Sequence, residues 1–111
     1  GWSLEVDTYW NPEDGIDPTG EDHLGFYFDG DLLNMAAWAV LPEMEDSGWH
    51  IMTVVIEAPH LSVDIDGINY IDTDLGGYFD FPADVGFTAG TGGETNAHLI
   101  KALTVTESTC D

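Results

Sequence analysis

The sequence predicts an all-β fold, an antiparallel β-sandwich with almost no helix. Apolar and polar residues alternate with a period of two along most of the chain, which is the spacing of strands with one buried face. Clusters of Gly, Pro, Asn and Asp interrupt this alternation at intervals of about ten residues, as between the short strands of a sandwich. The 111 residues, of which 43% are hydrophobic, suffice for a single domain, 1–111, with one core.

The first half of the chain predicts three strands. Residues 2–9 alternate and lead into a long polar turn at 11–22. The returning strand is predicted at 23–28. A third strand is predicted at 35–40, although the wider stretch 32–40 is also compatible with a helical turn.

The second half predicts four more strands. Residues 49–58 are rich in Ile, Met, Val and Thr and predict the most clearly buried strand. The next strand, 60–66, ends at Asp66-Gly67, a pair typical of hairpin turns. The last two strands and the loop between them are predicted at 85–89, 98–106 and 90–97. Three tryptophans are predicted to lie in the core: Trp2, Trp38 and Trp49.

The charge balance excludes two classes of partner. The chain has 22 Asp and Glu residues against one basic residue, Lys101, and a formal net charge of −21. Nucleic acids and anionic membrane surfaces need a basic patch, which this sequence lacks. No apolar run approaches the roughly 18 residues of a membrane-spanning helix. Divalent cations are the partners that such a charge favours.

The ends of the sequence suggest a processed protein. The chain begins at Gly1 in the middle of an alternating pattern and without an initiating Met, so we expect a processed or excised protein. We also expect a secreted, extracellular protein. The single cysteine, Cys110, has no partner for an internal disulfide. It is therefore a free thiol or pairs with another chain or segment.

Several metal-ligand types are concentrated near the start of the chain. On a strand, Glu5, Asp7 and Tyr9 share one face, and Asn11 follows beyond them. Two adjacent carboxylates repel each other unless a cation lies between them. The following loop adds Asp17 and then an imidazole, His23. A mixed oxygen and nitrogen set suits a first-row metal such as manganese, and an all-oxygen set suits calcium.

The order Glu-x-Asp-x-Tyr-x-Asn, then Asp-Pro, then His resembles the metal loop (5–23) of the legume-type (L-type) lectins, in the concanavalin A-like lectin/glucanase superfamily. The resemblance implies a jelly-roll sandwich that holds Ca2+ and Mn2+ or another first-row divalent metal. It implies a transition-metal site at Glu5 and His23, bridging carboxylates at Asp7 and Asp17, and calcium ligands at the Tyr9 carbonyl and the Asn11 side chain.

The resemblance continues downstream and implies carbohydrate binding. The run VGFTAGTG at 85–92 is similar to a family strand and loop whose backbone amides contact the sugar. In this interpretation calcium fixes the Asn11 amide, whose NH₂ donates to a sugar hydroxyl, and an aromatic ring covers the apolar face of the sugar. The implied sugar-binding residues are Asn11, Tyr9, Trp10, Gly92 and Gly93.

Part of the family site is missing from this sequence. In the family, an aspartate and a glycine of the sugar site come from a segment that precedes the metal loop, and this chain begins only a few residues before that loop. The resemblance therefore covers only the half of the domain that contains the metal loop. We expect a second chain or segment, or self-association, to complete the sandwich, unless the fold is a compact variant without the usual pocket.

Other interpretations of the acidic loop remain open. Related glucanases carry a second catalytic glutamate after Glu-x-Asp, but that place falls here on Tyr9 or Trp10, so the sequence predicts no enzyme. Calcium could instead stiffen a structural or adhesive module of an extracellular assembly. The carboxylates could also form a solvated acidic face. The other histidines are predicted to have no metal role: His50 as the cap of a core strand, His60 in a hairpin turn and His98 in a strand.

Overall fold

The protein forms two three-stranded antiparallel sheets. The computed structural model describes residues 1–8, 21–31, 33–44, 46, 48–57, 59–76, 86–89 and 99–106. The first sheet contains β1 (Trp2–Asp7), β2 (His23–Phe28) and β3 (Ala37–Val40), and the second contains β4 (Met52–Glu57), β5 (His60–Ile65) and β6 (Ile68–Asp74). These described ranges contain no helix, and therefore no helix that could cross a membrane.

The first sheet is a meander with β2 at its centre. Leu4 of β1 lies opposite Phe26, and Leu24 lies opposite Ala39 of β3. These side chains share the inner face because opposite residues of an antiparallel pair point the same way. The Phe26 ring stacks on Trp2 at a centroid distance of 5.5 Å, which fixes the end of the sheet at which β1 begins.

The second sheet is also a meander, with β5 at its centre. Alternate residues of β5 are buried, and His60, Ser62 and Asp64 occupy the other face. The turn to β6 places both Asp66 and Gly67 at positive φ, 52° and 79°. Positive φ at both central positions is the geometry of a type I′ hairpin turn, so the Asp-Gly prediction is confirmed.

The two sheets share one hydrophobic core. Seven apolar residues from both sheets and the segment after β3 form a single cluster of buried side chains. Its members are Leu24, Phe26, Leu41, Leu61, Val63, Ile65 and Ile71. The all-β prediction is therefore confirmed, and both sheets contribute side chains to this one core.

Most strands of the described ranges agree with the sequence prediction, with three differences. The prediction of 35–40 as strand rather than helix is confirmed by β3. Strand β6 was not predicted, because its apolar residues are interrupted by Asn69 and Asp72. The strands predicted at 85–89 and 98–106 are wrong over their described residues, 86–89 and 99–106, which are exposed and pair with no described strand.

The predicted burial of 49–58 is also wrong. Strand β4 lies at the edge of the second sheet, and Val55 is 47% exposed. Of the three tryptophans predicted as core, Trp2 packs against the core, whereas Trp38 and Trp49 are 47% and 55% exposed. Trp38 faces outwards because it alternates with the inward residues of β3.

Candidate functional site

The described metal-ligand candidates lie together on the outer face of the first sheet. The register places Asp7 directly opposite His23, and Glu5 opposite Gly25. Opposite residues of an antiparallel pair have Cα atoms about 4.5–5.5 Å apart. The first sheet thus brings two predicted ligands of the metal loop, Asp7 and His23, side by side, with Glu5 two residues away from Asp7 on the same face.

His23 has the surroundings of a fixed rather than a mobile imidazole. Its side chain is 1% exposed, and its Nδ1 lies 3.3 Å from the carbonyl oxygen of Glu21. If Nδ1 carries the proton and donates to that carbonyl, Nε2 carries the lone pair. Metal-binding histidines commonly donate their second ring N–H to a carbonyl in this way, so His23 fits the predicted role.

The described candidates do not by themselves make a complete metal site. Among the residues that the structure describes, no three His, Cys, Asp or Glu side chains converge closely enough to hold an ion. Glu5, Asp7 and His23 share a face without forming such a group. The remaining predicted ligands and sugar-binding residues lie outside the described residues: Tyr9, Trp10, Asn11, Asp17, Gly92 and Gly93. Their roles stay predictions.

A buried tyrosine ring occupies the same outer face. Tyr27 is 1% exposed, and its ring lies over Gly25, where a Cβ atom would be 2.7 Å from the Tyr27 hydroxyl oxygen. The register places Glu5 on one side of Gly25 and Trp38 on the other. A side chain at position 25 would displace the ring, so glycine is required for this packing.

An acidic depression adjoins His23, where β2 begins. It is lined by residues of two segments: Glu21, Asp22, Leu41, Pro42 and Glu43. One carboxylate oxygen of Asp22 accepts the backbone N–H of Met44 at 2.7 Å, and its carbonyl accepts the N–H of Leu41, also at 2.7 Å. Asp22 therefore serves to anchor the segment after β3.

Two other histidines form contacts that were not predicted. His50 lies between Asp66 and Asp46, with ring nitrogens 2.6 and 2.9 Å from their carboxylate oxygens. The hydrogen bond with Asp66, followed by that with Asp46, raises the pKa of His50 above its ordinary value. His50, which was predicted to cap a core strand, thus forms ion pairs with two aspartates when its ring is protonated.

His60 repeats this arrangement within the second sheet. Its Nδ1 lies 2.7 Å from a carboxylate oxygen of Asp74, and its Nε2 contacts Asp72. The hydrogen bonds with Asp74 and then Asp72 raise the pKa of His60. His60 is the first residue of β5 rather than a turn residue, so the predicted position in a hairpin turn is wrong.

The sequence contains only part of the signal for the His60 contacts. Asp72 and Asp74 are two residues apart, and so share a face of any strand that returns from the Asp66-Gly67 turn. Counting back from that turn without a bulge would pair His60 with Thr73, and only the register shift between Val63 and Asp64 places Asp74 opposite His60. The contacts were missed because β6 itself was not predicted.

Comparisons with known proteins provide no family for this chain. No protein-family model, curated protein or solved structure matches it. The functional argument therefore depends on the residues and on the geometry of the two sheets.

Proposed function

We propose that this protein is a carbohydrate-binding module that depends on calcium and a first-row transition metal. The observation that carries the proposal is the pairing of β1 with β2, which places Asp7 beside His23 at the base of the connecting segment. A pair of carboxylates and an imidazole on one face is a donor set that divalent metals accept. The ordered ligand types between them provide the remaining support.

The metals would preorganise the site rather than catalyse a reaction. Glu5, Asp7 and His23 would hold the transition metal, with Asp7 shared by calcium. The buried imidazole of His23, fixed through the Glu21 carbonyl, would hold its nitrogen in place before the ion arrives. The calcium would orient the Asn11 amide toward a sugar hydroxyl, because fixed polar groups recognise hydroxyls better than an apolar pocket does.

The proposal extends to a complete concanavalin A-like jelly roll and to an extracellular location. In the part of the chain that the structure describes, β1, β3, β4 and β6 are all sheet edges. Unpaired edges accept further strands. Strands from a second chain, another segment or a second copy would complete the sandwich and supply the rest of the sugar site.

A calcium-stiffened structural module is the second candidate. The observation that favours it is that β1, β3, β4 and β6 are edges of the described sheets, and such edges can pair with other chains of an assembly. Calcium held by β1 and the predicted metal loop would stiffen the first sheet whether or not a sugar binds. The two candidates differ in glycan binding and agree on metal binding.

The substitution Asn11→Asp separates these candidates. A carboxylate replaces the amide oxygen as a calcium ligand, but the NH₂ donor is lost. Glycan binding should weaken by about 1–3 kcal/mol, the cost of an unmatched buried polar group, while two ions are still taken up. Calorimetric titration with Ca2+ and Mn2+, followed by a glycan array in their presence, measures both properties.

The matched control is Asn34→Asp, which adds the same charge at an exposed amide far along the chain from the loop. It should leave metal uptake and glycan binding unchanged. Wild-type protein that binds both ions but no glycan would support the structural candidate. Wild-type protein that takes up no ion after saturation would refute both.

A further inference from the structure

His50 and His60 share an arrangement that has a chemical consequence. In both histidines, each of the two ring nitrogens lies within hydrogen-bonding distance of a carboxylate oxygen, and the two carboxylates belong to different aspartates. A neutral imidazole has one N–H and can donate to only one of the two carboxylates. Both contacts are therefore hydrogen bonds at the same time only when the ring is an imidazolium.

The His50 contacts connect two distant parts of the chain. Asp66 belongs to the turn between β5 and β6 and also accepts the N–H of Ile51 at 2.9 Å, while Asp46 accepts the N–H of Gly48 at 2.9 Å. The imidazolium thus strengthens a junction between the segment before β4 and this turn, at which the N–H of Asp66 also donates to the carbonyl of Ile51 at 2.8 Å. The neighbouring residue Trp49 carries the Lys101 ammonium over its ring, 4.2 Å from the centroid.

The His60 contacts connect the strands of the second sheet across its outer face. Asp72 and Asp74 approach the ring from β6, and Glu57 lies opposite His60 on β4. These three carboxylates would repel one another across the sheet without a positive charge among them. Strands β4, β5 and β6 contain no Lys or Arg side chain that could supply that charge. The one basic residue of the chain is Lys101.

We propose that His50 and His60 form a pair of proton-operated clamps that fasten the second sheet when the rings are charged and release it when the rings lose their protons. With both rings charged, the molecule is two charges less negative than its formal −21. Loss of the protons leaves Asp46 facing Asp66, and Asp72 facing Asp74, across neutral rings. The segment before β4 and the outer face of β6 then loosen.

The direction of the pH dependence follows from the pKa shifts. The folded pKa of each histidine is raised above 6.5, so its contribution to stability is fully present below that pH and is lost as pH rises through the folded pKa. The pKa of Asp66 is lowered below 3.8, chiefly by His50, and that of Asp46 chiefly by the N–H of Gly48. The His50 clamp is therefore intact between the lowered pKa of its aspartates and the raised pKa of His50, and it opens below the first and above the second.

The direct test is an NMR titration of the histidine ring protons in the folded protein and in urea. Both His50 and His60 should titrate above their unfolded values in the wild type. In the Asp66→Asn variant the pKa of His50 should fall and the pKa of His60 should be unchanged. In the Asp74→Asn variant the pKa of His60 should fall and the pKa of His50 should be unchanged. Each clamp is thus the matched control for the other.

Stability measurements test the consequence. The urea midpoint of the wild type should exceed that of a His50→Gln, His60→Gln double variant at about pH 6, and the difference should shrink as the pH rises through the folded-state pKa values found in the NMR titration. Glu43→Gln, an exposed change of charge away from both clamps, should show a difference that does not depend on pH in this range. A constant difference for the double variant would overturn the proposal.

The wild-type titration decides the proposal even where a variant fails to fold. Folded-state pKa values of His50 and His60 equal to those in urea would mean that the carboxylates do not hold the rings as imidazolium ions, and the clamps would not exist. Values raised for one ring only would reduce the proposal to that clamp and overturn the other.

Discussion

Replacing Gly25 with alanine tests the packing of the outer face of the first sheet. The added Cβ would lie 2.7 Å from the hydroxyl oxygen of Tyr27 and 2.9 Å from two of its ring carbons. Contacts this short require the ring to move, and the Tyr27 side chain, at 1% exposure, has little room to do so. Forced overpacking of this kind costs about 1–3 kcal/mol.

An opposing effect makes the sign of the result informative. Alanine restricts the unfolded chain more than glycine does, which stabilises a compatible site by about 0.4–1 kcal/mol. We therefore expect Gly25→Ala to lower the free energy of unfolding by about 1–2 kcal/mol net, measured by urea denaturation. A protein as stable as the wild type, or more stable, would show that the Tyr27 ring does not lie over Gly25.

Two controls isolate the clash. Gly86→Ala introduces a Cβ with nothing within 4 Å at a residue without positive φ, so it should be neutral or slightly stabilising. In a Tyr27→Val background, Gly25→Ala should lose most of its cost, because the ring that it displaces is gone. A cost that persists without the ring would place the strain elsewhere.

Two further changes test the core and the single lysine. Leu61→Ala, at a side chain with 0% exposure, should lower the free energy of unfolding by about 2–5 kcal/mol in urea denaturation. Leu33→Ala, at 76% exposure, should change it by less than about 0.5 kcal/mol. Equal effects of the two substitutions would contradict the described core. Lys101→Gln should lose about 0.5–1 kcal/mol through its contact with the Trp49 ring, and a double-mutant cycle with Trp49→Leu should recover that coupling; a coupling of zero would remove the contact.

The strands that could be predicted are those whose signals are local. β1, β2 and β5 each combine period-two alternation with a neighbouring turn of Asn, Asp or Gly, and their positions follow from these signals alone. The burial of β4 could not be predicted in this way. A run such as MTVVIE has the same composition at the edge of a sheet as at its centre, and only the order of the strands distinguishes the two.

The candidate site shows the same division between local and non-local information. The common face of Glu5 and Asp7 follows from their spacing on one strand. The position of His23 opposite Asp7 needs the register of two strands separated by a long connection. The partners of His50 lie 4 residues before it and 16 residues after it in the chain. An alternation of apolar and polar residues does not predict contacts between such positions.

The edge position of β4 has a consequence for the behaviour of the protein in solution. Its six residues contain one charged side chain, no lysine and no proline, and Met52 and Val55 are exposed. Edge strands of this kind template intermolecular pairing unless something blocks them. Here the obstacle is repulsion between whole molecules of charge −21, which reaches about 8 Å at physiological ionic strength and only about 3 Å in 1 M salt. Resistance to aggregation is therefore set by the solvent as much as by the fold, and acid or bound cations that neutralise the carboxylates would also expose β4 to other copies of the chain.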